Sequence, residues 1–255
     1  MVLFTKRLSG IESRLLENIK KSTFVFSDEI VVIEKGLLLM VELTKISATA
    51  ISDYKISPHL FTNHNLFARN RELLLNCHFC VLTSSYGTHN VIARTILENN
   101  QLMRLFRKND YKAFEWLSKE AQGRFPQATQ RKYGRSKLSS QEFWPSDVRR
   151  IAFDGQVRSE IKKLYEQLCD FTHPNYEGWK HLIYQIGDKD YVLRTPRFVD
   201  KITDGTINLT VYLIKLSIKE FVETFRSYLK EHPSLAEKLE KWQKDSNQIL
   251  FRHTN

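Results

Sequence analysis

Between Ile30 and Ile51 apolar side chains return at three- and four-residue steps, at Ile30, Ile33, Leu37, Met40, Val41 and Ile51. That spacing gathers them on one face of a helix and would scatter them over both faces of a strand. The same period predicts a helix over 66–84 and another over 89–107, the latter carrying Ile92, Ile96, Met103 and Phe106 on one stripe. Arg94, Glu98 and Gln101 fall on its opposite side, near Leu105. Val157, Ile161, Leu164, Leu168 and Phe171 define a further stripe, and Leu209, Leu213, Leu216, Phe221 and Phe225 another within 198–230. Alternating segments are scarce. The chain therefore reads as a predominantly all-α helical bundle with long central helices. Only 181–195 alternates, loosely, around Gly187-Asp188-Lys189-Asp190, and suits a small β-hairpin.

The punctuation sets the expected boundaries. Ser9 and Glu12 have capping-box spacing, which predicts a first helix from there to about Lys21, and Ser27-Asp28-Glu29 opens a second that Pro58 closes. Tyr86-Gly87-Thr88 marks a turn, and Asp110 is expected to cap a short helix running through Trp116 and Leu117. Residues 124–145 hold Pro126, Gly134 and Pro145 among serines, glutamines and basic residues, and read as a long mobile loop. Pro145-Ser146-Asp147 starts the next helical region, and Pro174 stops it. Ser234 and Glu237, after Pro233, open a charged terminal helix from about 234 that looks solvated. With 255 residues and 42% hydrophobic content, one helical domain over 1–255 is expected.

The formal charge of +10 favours anionic partners, nucleic acid first among them, with ordinary solubility charge as the alternative. The N-terminus lacks a signal-type apolar region. The stretch 73–93 has no Asp, Glu, Lys or Arg, yet carries Asn76, His78, His89 and Asn90, so it suits a buried helix pair better than a membrane span. An odd set of cysteines, Cys77, Cys80 and Cys169, points to a reducing compartment and hence to the cytoplasm. Cys77 and Cys80 with Cys169 and His173 formally supply a tetrahedral zinc set, but helical cysteines more often serve as small buried hydrophobes, and no metal is expected. No phosphate-binding glycine loop, dinucleotide fingerprint or nucleophile elbow is present, and no cofactor is expected.

The segment Leu164-Tyr165-Glu166-Gln167-Leu168-Cys169-Asp170-Phe171-Thr172-His173-Pro174-Asn175 ends a core helix in a His-Pro corner. Together with Ile92-Ala93-Arg94-Thr95-Ile96-Leu97-Glu98 it resembles a helical family in which an Arg-x-x-x-Glu helix packs near a helix ending in Ser-x-x-x-His-Pro. A variable insert and a long apolar helix follow, an order matched here from about 66 to 230. The architecture is similar to the HEPN-like helical proteins, many of them RNA-cleaving toxins or defence components that act as dimers. The resemblance implies nucleic-acid binding, a homodimer and, where there is activity, a metal-independent endoribonuclease. In that case His173 would handle the proton, Arg94 would stabilise the phosphorane-like charge, and Glu98 would orient either one. This chain departs from catalytic members, which place an arginine four to six residues before the histidine; here Gln167, Leu168 and Cys169 stand there. The plainer alternative is a His-Pro corner bonded to a helix-end carbonyl beside an ordinary i,i+4 ion pair.

A second candidate surface lies in 124–150. Arg124, Arg131, Lys132, Arg135, Lys137, Arg149 and Arg150 face only Glu142 and Asp147, and Phe125, Tyr133, Phe143 and Trp144 are interleaved among them. Cations beside rings suit RNA or single-stranded DNA, gripping phosphates while stacking bases. Alternatively the segment is a solvated connector whose rings tuck onto the core. Two functions follow: a HEPN-like nucleic-acid-binding protein, or a non-catalytic helical interaction module.

Overall fold

The computed structural model describes residues 2–51, 57–133, 143, 145–172, 183–186, 190–193 and 198–251. Twelve helices account for nearly all of them: α1 (Val2–Val25), α2 (Ser27–Ile51), α3 (Pro58–Thr83), α4 (Tyr86–Lys108), α5 (Asp110–Trp116), α6 (Lys119–Gly123), α7 (Gln127–Tyr133), α8 (Pro145–Ala152), α9 (Gly155–Thr172), α10 (Asp200–Thr224), α11 (Arg226–Leu229) and α12 (Pro233–Phe251). The protein is a packed, predominantly α-helical bundle. Between α9 and α10, β1 (Ile183–Ile186) and β2 (Asp190–Leu193) pair antiparallel, with Ile183 opposite Leu193 and Ile186 opposite Asp190.

Helices α3 and α4 fold back on one another across Ser84 and Ser85. Ser84 takes the left-handed conformation, with φ of 60°, that closes a helix end, and the N–H of Ser85 reaches the carbonyl of Cys80 at 2.9 Å. Helix α10 packs across this hairpin and against α2, while α8 and α9 cover another side of α4. Phe67 of α3 meets Phe221 of α10 at 4.2 Å between centroids, and Phe221 stacks on Phe225 at 4.5 Å. Ile33, Met40, Leu43, Leu74, Ile96, Leu97, Val211 and Ile214 are wholly buried around them.

The core is unusually polar along one seam. Asn70 donates to Asn100 Oδ1 at 3.1 Å and to Ser217 Oγ at 3.3 Å, accepts from Asn99 at 2.8 Å, and Asn100 itself donates to Ser217 at 3.0 Å. His89 and Thr210 share a 2.8 Å bond, and Asn63 donates to the Met103 carbonyl and the Thr224 hydroxyl. Farther along, the fully buried Glu220 is paired with Arg107 at 3.2 Å and Arg104 at 3.6 Å. Burial pushes the Glu220 carboxyl up, and the two guanidinium groups only partly oppose it.

Several boundaries differ from the sequence reading. Ser9 lies inside α1, so the Ser9–Glu12 pair does not start that helix. Pro58 opens α3 at its first turn, where a missing N–H costs nothing. Asn109, not Asp110, caps α5, its side chain accepting from the Lys112 N–H at 3.2 Å. The span 124–145 contains α7, and a break at 153–154 separates α8 from α9. Val157 is exposed, leaving Ile161, Tyr165 and Leu168 as the buried stripe of α9. On α4, Gln101 and Leu105 are buried, because that side of the helix is covered and not open to water.

The terminal helix is not solvated. Leu235, Leu239, Trp242 and Ile249 of α12 are buried against α2 and α10, and the Trp242 indole N–H donates to the Val32 carbonyl at 2.8 Å. Gly36 makes room for the ring: a Cβ there would lie 2.8 Å from Trp242 and 2.9 Å from Ile214. Charged residues fill the outer faces of α12 and mask this narrow stripe in a composition-level reading. No helix among the described residues is long and apolar enough to cross a membrane.

Candidate functional site at the junction of α4, α8 and α9

Arg94 and Glu98 sit one turn apart on α4, so their side chains project over the same patch of α9. The Arg94 Nε donates to Glu98 Oε1 at 3.1 Å. Arg94 Nη2 donates to the Tyr165 hydroxyl at 2.9 Å, and that hydroxyl donates to Glu98 Oε1 at 2.9 Å. The three bonds form a closed ring between α4 and α9. Burial, followed by the adjacent Glu98 charge, pushes the Tyr165 phenol up to about 12, so it remains protonated and keeps donating.

Arg149 of α8 completes the arrangement, its guanidinium carbon lying 4.1 Å from the centre of the Tyr165 ring. The electron-rich face holds the cation there without a hydrogen bond to the ring. Two cations, Arg94 and Arg149, thus attend the one tyrosine, Arg94 through its hydroxyl and Arg149 over its ring. The Arg149 Nη1 is buried with no hydrogen-bond partner, which leaves this edge of the cluster short of acceptors. Arg94 and Glu98 retain 22% and 30% side-chain exposure, enough for a ligand to reach them.

His173 lies outside the described residues. The structure does bring together the Arg-x-x-x-Glu segment and the helix whose last described residue, Thr172, precedes it. Tyr165 and the inward turn of Arg149 were missed by the sequence reading. The available signal was position: Tyr165 falls on the buried stripe of α9, four residues from Ile161, where a polar tip needs a partner.

The basic segment is organised differently from the expected open loop. Phe125 packs edge-on against Phe61 at 5.6 Å and Phe114 at 5.8 Å, Tyr133 lies 5.7 Å from Phe114, and Phe143 is 6.3 Å from Phe106. These rings serve the core and do not stand free for base stacking. Arg124 pairs with Glu120 at 2.6 Å and Arg150 with Asp147 at 3.4 Å. Arg131 and Lys132 are exposed at the end of α7, the Lys132 ammonium lying 4.8 Å from the centre of the Tyr133 ring. Arg135, Lys137 and Trp144 are outside the described residues.

The cysteines have separate surroundings. Cys77 is buried, its Sγ 4.0 Å from the His89 carbonyl, and burial pushes its thiol far up, as it does that of Cys80. His78 is 3.5 Å from Glu34. Among the described residues no group of three or more His, Cys, Asp or Glu is placed to hold a metal ion. A groove of about 230 Å³ lined by Leu38, Leu39 and Trp242 and rimmed by Lys35, Glu42, Lys238, Lys241 and Asp245 opens between α2 and α12.

No family model, curated protein sequence or solved structure matches this chain.

Proposed function

We propose that this protein binds single-stranded nucleic acid, RNA foremost, as a HEPN-like helical protein, with its anion-handling centre at the α4–α8–α9 junction. The observation that carries this reading is the direct bonding of Arg94 and Glu98 to Tyr165 of α9. Helix α4, which bears the Arg-x-x-x-Glu sequence, and α9, whose last described residue precedes the His-Pro sequence, are thereby neighbours, which supports the resemblance. Arg149 supports it further by supplying a second cation beside the first, in a chain that lacks the expected arginine on α9 itself. A phosphate arriving here would meet the partly exposed guanidinium groups of Arg94 and Arg149. Exposed Arg131 and Lys132 on α7 extend the cationic surface.

Binding of a labelled single-stranded RNA should weaken steeply from low to moderate salt, and charge reversal at Arg131, Lys132 and Arg135 should flatten that slope. If the protein cleaves RNA through the His-Pro corner, His173→Ala abolishes cleavage while the helical circular-dichroism spectrum persists. A homodimer belongs to the same reading, supported by the exposed apolar residues Leu16, Phe24, Leu38, Leu75 and Phe79, and light scattering at micromolar concentration tests it.

A second reading, a non-catalytic interaction module, draws on the closed bonding of Arg94, Glu98 and Tyr165, which satisfy one another without a ligand. No RNA binding even at low salt selects it over the first.

A further inference from the structure

The groove between α2 and α12 has a floor and a rim of opposite chemistry. Leu39 and Trp242 belong to the core, yet both line the groove, and Leu38 beside them leaves 64% of its surface exposed. A lone surface leucine is ordinary, whereas a leucine that shares a cavity with two core residues is an unfilled apolar wall. The indole N–H of Trp242 is spent on the Val32 carbonyl at 2.8 Å, so the ring brings apolar surface to the groove and no free donor. A Cβ on Gly36 would lie 2.8 Å from that ring, which therefore rests against bare backbone and gives the groove a preformed wall.

Five charged side chains stand around this floor, and four of them neutralise one another. Lys238 Nζ donates to both carboxylate oxygens of Glu42 at 2.9 Å, and Lys35 lies 3.9 Å from Asp245. Lys241 has no carboxylate partner among the described residues, so one positive charge is left over at the rim. A matching ligand has an apolar body, one anionic end and no second polar group, because the side chains of the floor offer it neither donor nor acceptor.

A second cavity of about 260 Å³ continues the groove past Lys35 and Asp245, which border both. The Lys35–Asp245 pair thus spans from α2 to α12 where the two cavities meet. A partner helix laid along the groove would have to straddle that pair, whereas a compact ligand lies wholly on one side of it. The second cavity adds Asp28 to its border and no unpaired lysine, so an anion belongs in the first. Size sets the rest: an apolar cavity of about 150 Å³ holds benzene, so about 230 Å³ takes an apolar body of roughly nine non-hydrogen atoms.

We propose that the α2–α12 groove binds a free medium-chain carboxylate, with an alkyl chain of about eight carbons over Leu38, Leu39 and Trp242 and the carboxylate at Lys241. The site shares no residue with the α4–α8–α9 cluster and stands or falls apart from the nucleic-acid-binding reading. Apolar contact supplies most of the affinity, and the rim lysine chooses the sign of the ligand's charge.

The test titrates the full chain with octanoate, followed by calorimetry and by the assigned indole N–H signal of Trp242 in the nuclear magnetic resonance spectrum. Octanoate should saturate with a Kd on the order of 0.1–1 mM, moving the Trp242 signal and leaving that of Trp116 in place. Octanol, with the same chain and no charge, should bind up to about fivefold more weakly, and octylammonium more weakly still. Lys241→Glu should reverse this order, placing octylammonium above octanoate. Leu38→Gln should weaken octanoate and octanol alike, by about fivefold, and keep their ratio. Both side chains are exposed, so the helical circular-dichroism spectrum should persist in each variant. Absence of saturation well above the expected range overturns the proposal, as do equal affinities for octanoate and octanol with no effect of Lys241→Glu. A Trp242 signal that octanoate leaves still, but that an acidic amphipathic peptide moves, assigns the groove to a partner helix and also overturns it. So does a signal that moves with protein concentration alone, which assigns the groove to a second copy.

Discussion

Helix α4 carries a polar cluster on each of two sides, and the two are made of different chemistry. Toward α3 and α10, Asn99 and Asn100 join Asn70 and Ser217 in a neutral, buried set, and His89 bonds Thr210 nearby. Toward α8 and α9, Arg94 and Glu98 join Tyr165 and Arg149 in a charged set that keeps contact with solvent. Amides bury without charge to desolvate, so each needs only a neighbour at the right height, and the cluster fixes how far three helices slide past one another. Ions lose far more on burial, and the charged cluster stays at the rim, where a ligand can replace water. One helix thus holds a structural lock and a candidate site a few residues apart.

Acid should separate the two sides most sharply. Burial drives the His89 imidazole down to about 4 from an ordinary 6.5, so the unfolded chain binds the proton first. The stability it contributes is complete above pH 6.5 and is lost as pH falls toward 4. The loss should approach about 3 kcal/mol by linkage. Urea midpoints measured across this range should follow that curve, and His89→Gln should flatten it. A flat wild-type profile would mean that His89 is not sealed from water.

Asn70→Ala comes next. It removes three bonds at once and leaves the Asn99 NH2 group without its acceptor and the Asn100 Oδ1 without its donor, costing about 2 kcal/mol in urea denaturation, with no dependence on salt. Tyr165→Phe, on the charged side, should cost only about 1 kcal/mol, since Arg94 and Glu98 keep their mutual bond and Arg149 keeps its ring. A larger loss for Tyr165→Phe than for Asn70→Ala would invert the assignment of lock and site. The smallest effect is expected at Asp110, whose lowered carboxyl contributes stability above about pH 3.8 that fades as pH drops below it. Being partly exposed, the group contributes a few tenths of a kcal/mol. Asp110→Asn should remove that acid step from the thermal midpoint.

The central helices were legible because apolar residues at helical spacing leave one solution for α2, α3, α4, α9 and α10. Their ends were not, since the same residue carries opposite messages. Pro58 reads as a stop after α2 and acts as the first residue of α3, and Asp110 looks like a cap while Asn109 performs that role. The pairing of Arg94 with Glu98 followed from their spacing, whereas Tyr165 lies 71 residues from Arg94, and no local pattern marks that distance. The His59–Asp110 contact, 51 residues apart, is invisible for the same reason. Rings interleaved with cations in 124–145 suggested a nucleic-acid grip, but an aromatic side chain beside a core with room for it buries first.

The place under Trp242 has a consequence in time. The indole reaches a carbonyl 210 positions earlier in the chain. During synthesis at roughly 5–20 residues per second, the strip of α2 around Gly36 waits on the order of 10–40 s for its cover. A nascent chain halted before α12 emerges should offer that bare strip to holding chaperones, so α12 acts as a late step in the assembly of this bundle as much as a part of it.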